Sequence, residues 1–175
     1  MSKKQITFRD LTTKDLDVLL LWRNNPNINK YLANRVKVKP EAQAWFNRIN
    51  GSSSNLLKGI IYDGRLIGYC IVESVDEQNR KCEVGVLIGD LQLWGKGIGK
   101  IVVAELLKYC FEKLMLHRVL AVIAKGNERS ERLFKGMGFR YEGTLREATQ
   151  IDGQFVDLLC YSVLEQEYKL GGIVF

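Results

Sequence analysis

The stretch LWGKGIGK, Leu93 to Lys100, decides how this chain is read. Gly95, Gly97 and Gly99 alternate with Lys96 and Ile98. Just before it, CEVGVLIG (Cys82–Gly89) has the apolar, β-branched character of a strand. Just after it, Ile98, Val102, Leu106, Cys110 and Leu114 recur at helical spacing. A glycine turn between a strand and a long helix lets backbone N–H groups approach a ligand with no Cβ in the way. The helix N-terminus adds the positive end of its dipole, which suits a phosphate.

Outward from this stretch, ITFRDL (Ile6–Leu11) alternates as a strand. TTKDLDVLLLWRNNP reads as a helix with a Thr12 or Thr13 cap and a stop at Pro26. PEAQAWFNRIN, from Pro40, reads as a second helix, and GSSSN (Gly51–Asn55) is a loop too short to link domains. LLKGIIY and RLIGYCIVES flank Asp63-Gly64, a strong hairpin signal. HRVLAVIA is a buried strand, and NERSERLFKGMG is a short helix capped by Asn127. The last segment, to about Tyr168, reads as two long strands around Asp152-Gly153. The order is β-α-α-β-β-β-α-β-α-β-β. The expected fold class is therefore α/β: one domain over residues 1–175, with a mixed, mostly antiparallel seven-stranded sheet and about four helices.

Composition narrows the function. The 175 residues are 46% hydrophobic and 26% charged, as in a globular protein. No apolar run has membrane-span length, and MSKKQITFRD has no apolar core of a secretory signal, so the cytoplasm is the expected location. Cys70, Cys82, Cys110 and Cys160 have no metal-site spacing and read as buried thiols. His117 is the single histidine and sits between a helix and a strand. No metal is expected. The net charge of +6 suggests an acidic partner. The basic residues are scattered, so a phosphorylated small molecule suits them and no nucleic-acid partner is expected.

Three phosphate motifs compete for the glycine stretch. A P-loop needs a glycine where Asp90 stands, and Gly97 rather than Ser or Thr follows Lys96. A dinucleotide fingerprint fits Gly95 and Gly97 but meets Lys100 at its third glycine, without an early βαβ unit. The stretch instead resembles the pyrophosphate loop of the GNAT acyltransferases, Gln/Arg-x-x-Gly-x-Gly/Ala between a strand and a long helix. Gly97 and Gly99 match its small positions, while Trp94 replaces the polar first residue. Such a Trp is familiar in the branch that includes ribosomal-protein N-terminal acetyltransferases. NERSERLFKGMGFRYEG resembles the second signature of that family, and the likeness runs from about residue 6 to 168.

This resemblance implies acetyl-CoA as co-substrate and a sheet splayed in its middle. The pantetheine arm would lie in the gap, against backbone groups of Val86 and Leu87. Trp94, Gly95, Lys96, Gly97, Ile98, Gly99 and Lys100 would surround the pyrophosphate. Asn127 would contact the cofactor near the gap. Phe134 stands where many relatives place a cofactor-side Tyr that acts as general acid. The implied reaction moves acetyl to an amine, so a base must take a proton. Glu83 is the candidate base. Tyr141 and Ser130 are candidate acids in place of Phe134, and the thiolate can also leave unaided.

The acceptor wall is expected from the N-terminal helices. LWRNNPNINKYLANRVKVKPEAQAWFNRI resembles the same region of the amino-sugar acetyltransferases of pseudaminic-acid biosynthesis. Arg23 would clamp a diphosphate, with Trp22 or Trp45 stacking on a base or sugar and Asn24 nearby. The expected acceptor is thus the amine of a nucleotide-linked amino sugar. The N-terminus of a ribosomal protein and a polyamine remain alternatives. So does a non-catalytic CoA-binding regulatory module. Either a monomer or a homodimer suits the chain.

Overall fold

The computed structural model describes residues 6–32, 37–51 and 55–171. Parts of two expected loops, at 33–36 and 52–54, lie outside the described residues, as do the first five residues. Seven strands form one sheet: β1 (Ile6–Asp10), β2 (Leu56–Tyr62), β3 (Arg65–Asp76), β4 (Lys81–Ile88), β5 (Arg118–Ala124), β6 (Arg140–Ile151) and β7 (Gln154–Leu164). Their order is β1-β2-β3-β4-β5-β7-β6. Every pairing is antiparallel except β4 with β5. The two Asp-Gly turns form as expected. Asp63, Gly64, Asp152 and Gly153 all have positive φ, matching the right-handed strand twist.

The parallel pair is short. β4 and β5 share only Lys81↔Arg118, Cys82↔Val119 and Glu83↔Leu120. Beyond Glu83, β4 continues to Ile88 and β5 to Ala124, with no ladder between them. The expected splay is therefore present, and Glu83 sits where the strands part.

Helices cover both faces. They are α1 (Leu16–Asn24), α2 (Pro26–Asn29), α3 (Lys39–Asn50), α4 (Ile98–Lys108), α5 (Glu128–Gly136) and α6 (Glu165–Gly171). On one face, Val102, Val103, Leu106 and Leu107 of α4 pack with Phe134 and Met137 on Cys82, Val84 and Val119 of the sheet. On the other, Leu16, Leu19 and Trp22 of α1 and Ala42, Phe46 and Ile49 of α3 cover Leu57, Tyr69, Ile71 and Leu87. The period-two pleat sends Val84 and Leu87 of one strand to opposite faces.

Three local readings change. Pro26 does not simply stop a helix. Its fixed φ starts α2, with the Asn25 side chain accepting from the Asn27 amide. The stretch after Leu164, read as strand, turns into α6, where the Glu167 side chain accepts from the Leu164 amide. The long helix loosens at Tyr109–Lys113 into a π turn, with the Leu114 amide reaching back to the Tyr109 carbonyl. That turn brings Cys110 to 3.6 Å from Cys82, sulfur to sulfur, in the sealed core. This contact and burial push the Cys110 thiol pKa up, and burial pushes Cys70 to about 12. These thiols are core filling.

Gly89, at the end of β4, lies under the Trp22 indole, so a Cβ there would overlap the ring. Trp22 is 8% exposed and cannot step aside without opening the α1 cluster. Gly89→Ala is expected to destabilise the fold by about 1–3 kcal/mol, the range for overpacked cores. The check is urea unfolding, as a lower midpoint at unchanged slope.

Candidate active site and cofactor cleft

A cleft of about 800 Å³ opens where the strands separate. Its floor is Val86, Leu87 and Ile88 of β4. Trp94, Gly95, Gly97, Ile98, Gly99 and Lys100 form one wall, and Gly126 to Ser130 with Arg132 and Leu133 form the opposite one. Asn27, Ile28, Tyr31 and Leu32 close a third side.

The glycine loop is built as a cradle. Gly95 and Gly97 have φ of +77° and +80°, a left-handed conformation that favours glycine, and nothing occupies the space a Cβ would take. The amides of Lys100 and Ile101 turn inward to the Gly97 carbonyl. Among the described residues the amides of Gly97, Ile98 and Gly99 donate to no carbonyl. Unpaired amides at a helix N-terminus beside Lys100 fit a pyrophosphate. Lys96 is exposed and outside the lining. Gly99 makes its close contact with Leu133 of α5, so its small size also serves helix packing.

Glu83 is half-buried at the closed end of the gap, short of the cleft lining. It pairs across the ladder with Glu73, Gly85 pairs with Ile71, and Leu87 pairs with Tyr69. These pairs share the face covered by α1 and α3. Gly85 puts no side chain on that face, where Ile71 of β3 comes within 3.0 Å of the place its Cβ would take. Burial first, then the Glu73 charge, raises the Glu83 carboxyl to about 7. A carboxylate with that pKa is suited to accept a proton near neutral pH.

The expected acids separate. Ser130 lines the cleft, with its amide donating to the Asn127 side chain at 3.3 Å. Asn127 therefore caps α5 and also lines the cleft. Tyr141 does not reach it. It lies on the edge strand β6, half exposed, with its hydroxyl 2.7 Å from that of Thr144. Phe134 is not a cleft residue either. It packs edge-on against Phe139 at 5.0 Å, because the apolar side of α5 turns into the core.

None of the expected acceptor residues lines the cleft. Arg23 is 5% exposed. It donates to the Tyr69 hydroxyl at 2.6 Å, and its guanidinium lies 4.9 Å from the Trp45 ring. A guanidinium enclosed in this way is not placed to clamp a diphosphate from solvent. Trp22 is core. Asn24 is exposed and donates to the Lys37 carbonyl at 3.2 Å. Trp45 is half-buried, 5.5 Å from Tyr69, and does not line the cleft.

Sequence reasoning missed Asn27, Tyr31, Gly126, Arg129 and Arg132 as cleft residues. Arg129 and Arg132 stood inside the quoted NERSER run, at i and i+3 on one helix side, and that spacing was the signal. Tyr31 follows the short α2 turn and had no sequence signal.

The comparisons with known proteins agree with this geometry. The model of the acetyltransferase (GNAT) domain matches residues 5–140. YdaF of Bacillus subtilis, by name a candidate ribosomal N-acetyltransferase, is 32% identical over 95% of this chain and 94% of its own length. Acetyltransferase PseH of Campylobacter jejuni is 27% identical over 73% of this chain and 78% of its own. Spermidine N-acetyltransferase from Vibrio cholerae, solved with CoA and spermine, superposes with a TM-score of 0.84 at 25% identity, covering 94% of this chain and 98% of that one. The fold and the cleft define an acyl-CoA-dependent transferase. The chain belongs to the GNAT family and is an N-acetyltransferase that uses acetyl-CoA as co-substrate.

Two predictions follow from the carboxylate pair. With Glu83 as the base, the acid limb of kcat/KM is expected near pH 7, rising as its carboxyl loses the proton. Glu73→Gln removes the like charge and moves that limb to lower pH, read from the pH profile. Glu83→Gln should lower kcat by about 10²-fold or more. It should also raise the melting temperature above pH 7, because a carboxylate whose folded pKa is raised weakens the fold once ionised.

Proposed function

We propose that the chain acetylates a weakly basic primary amine, and that the N-terminal α-amine of a peptide or protein is its acceptor. The observation that carries this reading is the Glu83–Glu73 pair behind Gly85, on the face where the strands part. A base near pKa 7 can take a proton from an α-amine, whose pKa is about 7.7–8.0, at little cost. A fully basic alkylamine would hold its proton too firmly for this carboxylate. The curated relative with a ribosomal N-acetyltransferase name points the same way. For an amino sugar, the enclosed Arg23 leaves the diphosphate without its expected clamp. For a polyamine, Asp17 and Glu41 of the N-terminal helices are exposed, held by Lys39 and the Lys37 amide rather than lining the cleft.

In this reading acetyl-CoA lies in the cleft and supplies the thioester. The loop amides and Lys100 hold its pyrophosphate. Backbone groups of Val86 and Leu87 orient the arm, and an amide of β4 beyond the last β5 pairing holds the developing oxyanion. Glu83 takes the amine proton directly or through one water. Ser130 is the one expected acid that lines the cleft. Without it the thiolate leaves alone, which a thiol pKa of about 8.5 allows.

The test is thiol release from acetyl-CoA with three acceptors: peptides with free Ala or Ser N-termini, a UDP-linked 4-amino sugar, and spermidine. Turnover is expected to be highest on the peptides. Turnover on the sugar or spermidine alone would replace the acceptor assignment. CoA binding without turnover on any amine would overturn Glu83 as base. Gly97→Val forces a β-branched residue into the left-handed region and is expected to weaken CoA binding about tenfold or more by calorimetry.

A further inference from the structure

Trp94 begins the glycine loop and brings an uncharged indole to the cleft. Its indole Nε1 donates to the Ile88 carbonyl at 2.9 Å, which fixes the ring beside the loop. The Arg129 guanidinium lies over that ring, 3.3 Å from its centroid. Arg129 comes from the first turn of α5, on the wall opposite the loop, and both residues line the cleft. Among the described residues no carboxylate pairs with Arg129, whereas Arg132 is paired with Glu128 at 3.2 Å. Stacking uses the face of a guanidinium and leaves its in-plane N–H donors available. Glu128, which also lines the cleft, is taken up by Arg132, so the Arg129 charge is left to face the cleft with Lys100.

We propose that Trp94 and Arg129 act as one unit, with Trp94 as the platform and Arg129 donating to the pyrophosphate held by the glycine loop. Trp94 is then a positioning residue and Arg129 a binding residue. The inference rests on acetyl-CoA occupying the cleft as described above. The planar fork of Arg suits two phosphate oxygens at once, and the ring holds that fork in place before the ligand arrives. The unit also ties the loop to α5, so the two walls of the cleft meet through it.

The test is calorimetric binding of CoA, 3′-dephospho-CoA and pantetheine to the whole chain and its variants. Arg129→Gln is expected to weaken CoA and dephospho-CoA equally, by about tenfold to a hundredfold, the value of one charged hydrogen-bonded contact. Pantetheine binding should not change. Trp94→Phe keeps a ring face and should retain most of the affinity, whereas Trp94→Leu should lose nearly as much as Arg129→Gln. The double variant Trp94→Leu with Arg129→Gln should be no worse than Arg129→Gln alone. Melting temperatures without ligand check that each variant folds, and Arg129→Gln with Trp94→Phe carry the test if Trp94→Leu does not. Unchanged affinity in Arg129→Gln would overturn the proposal. So would loss confined to CoA, which would assign Arg129 to the 3′-phosphate, or losses that add in the double variant. Failure of the unaltered chain to bind CoA would instead overturn the reading of the cleft.

Discussion

The early end of the β4–β5 ladder is the constraint on which the rest of the molecule depends. Two parallel strands that stay paired leave no room between them. Here they share three residue pairs and then part. Each strand remains held on its outer side, β4 by β3 and β5 by β7, so the gap persists without breaking the sheet. The apolar cluster under α4 spans both strands. A backbone edge that would otherwise be a liability becomes the floor of a cleft.

Each wall of that cleft does two jobs. The loop before α4 exposes amides and also starts the helix that fills the core. Asn127 caps α5 and faces the cleft. Gly89 ends β4 and accepts the Trp22 indole that anchors α1. A change in the loop or at Asn127 is therefore expected to touch stability and binding together, whereas Gly89, outside the cleft lining, bears on stability. The Glu83–Glu73 pair differs from them. It places two half-buried carboxylates on one face with no ion pair to either among the described residues, an arrangement that weakens the fold once both are ionised.

Much of the site was legible because its signals are local. The Asp-Gly turns, the alternation of β2 and β3 and the glycines of the loop follow from φ preferences and pleat geometry within a few residues. The roles of Arg23, Trp22 and Phe134 were not legible in the same way. Each is a residue type that serves equally in a core or a pocket, and the choice depends on what packs against it from distant segments. Arg23 is settled by Tyr69, which is 46 positions away. Phe134 is settled by the apolar side of α5 turning toward Phe139.

The succession of strands along the chain and the glycine turn at Gly95 and Gly97 could be read from the residues, because local backbone preference and hydrophobic period write these into neighbouring positions, and the resemblance of the two glycine-bearing motifs pointed to the family. Only the tertiary structure decided that Glu73 stands beside Glu83, that Arg129 lies on Trp94, and that Arg23 is enclosed. The first depends on the register of one hairpin, and the other two join segments farther apart in the chain. Their pairing follows from strand register and helix docking, which no short window of residues contains.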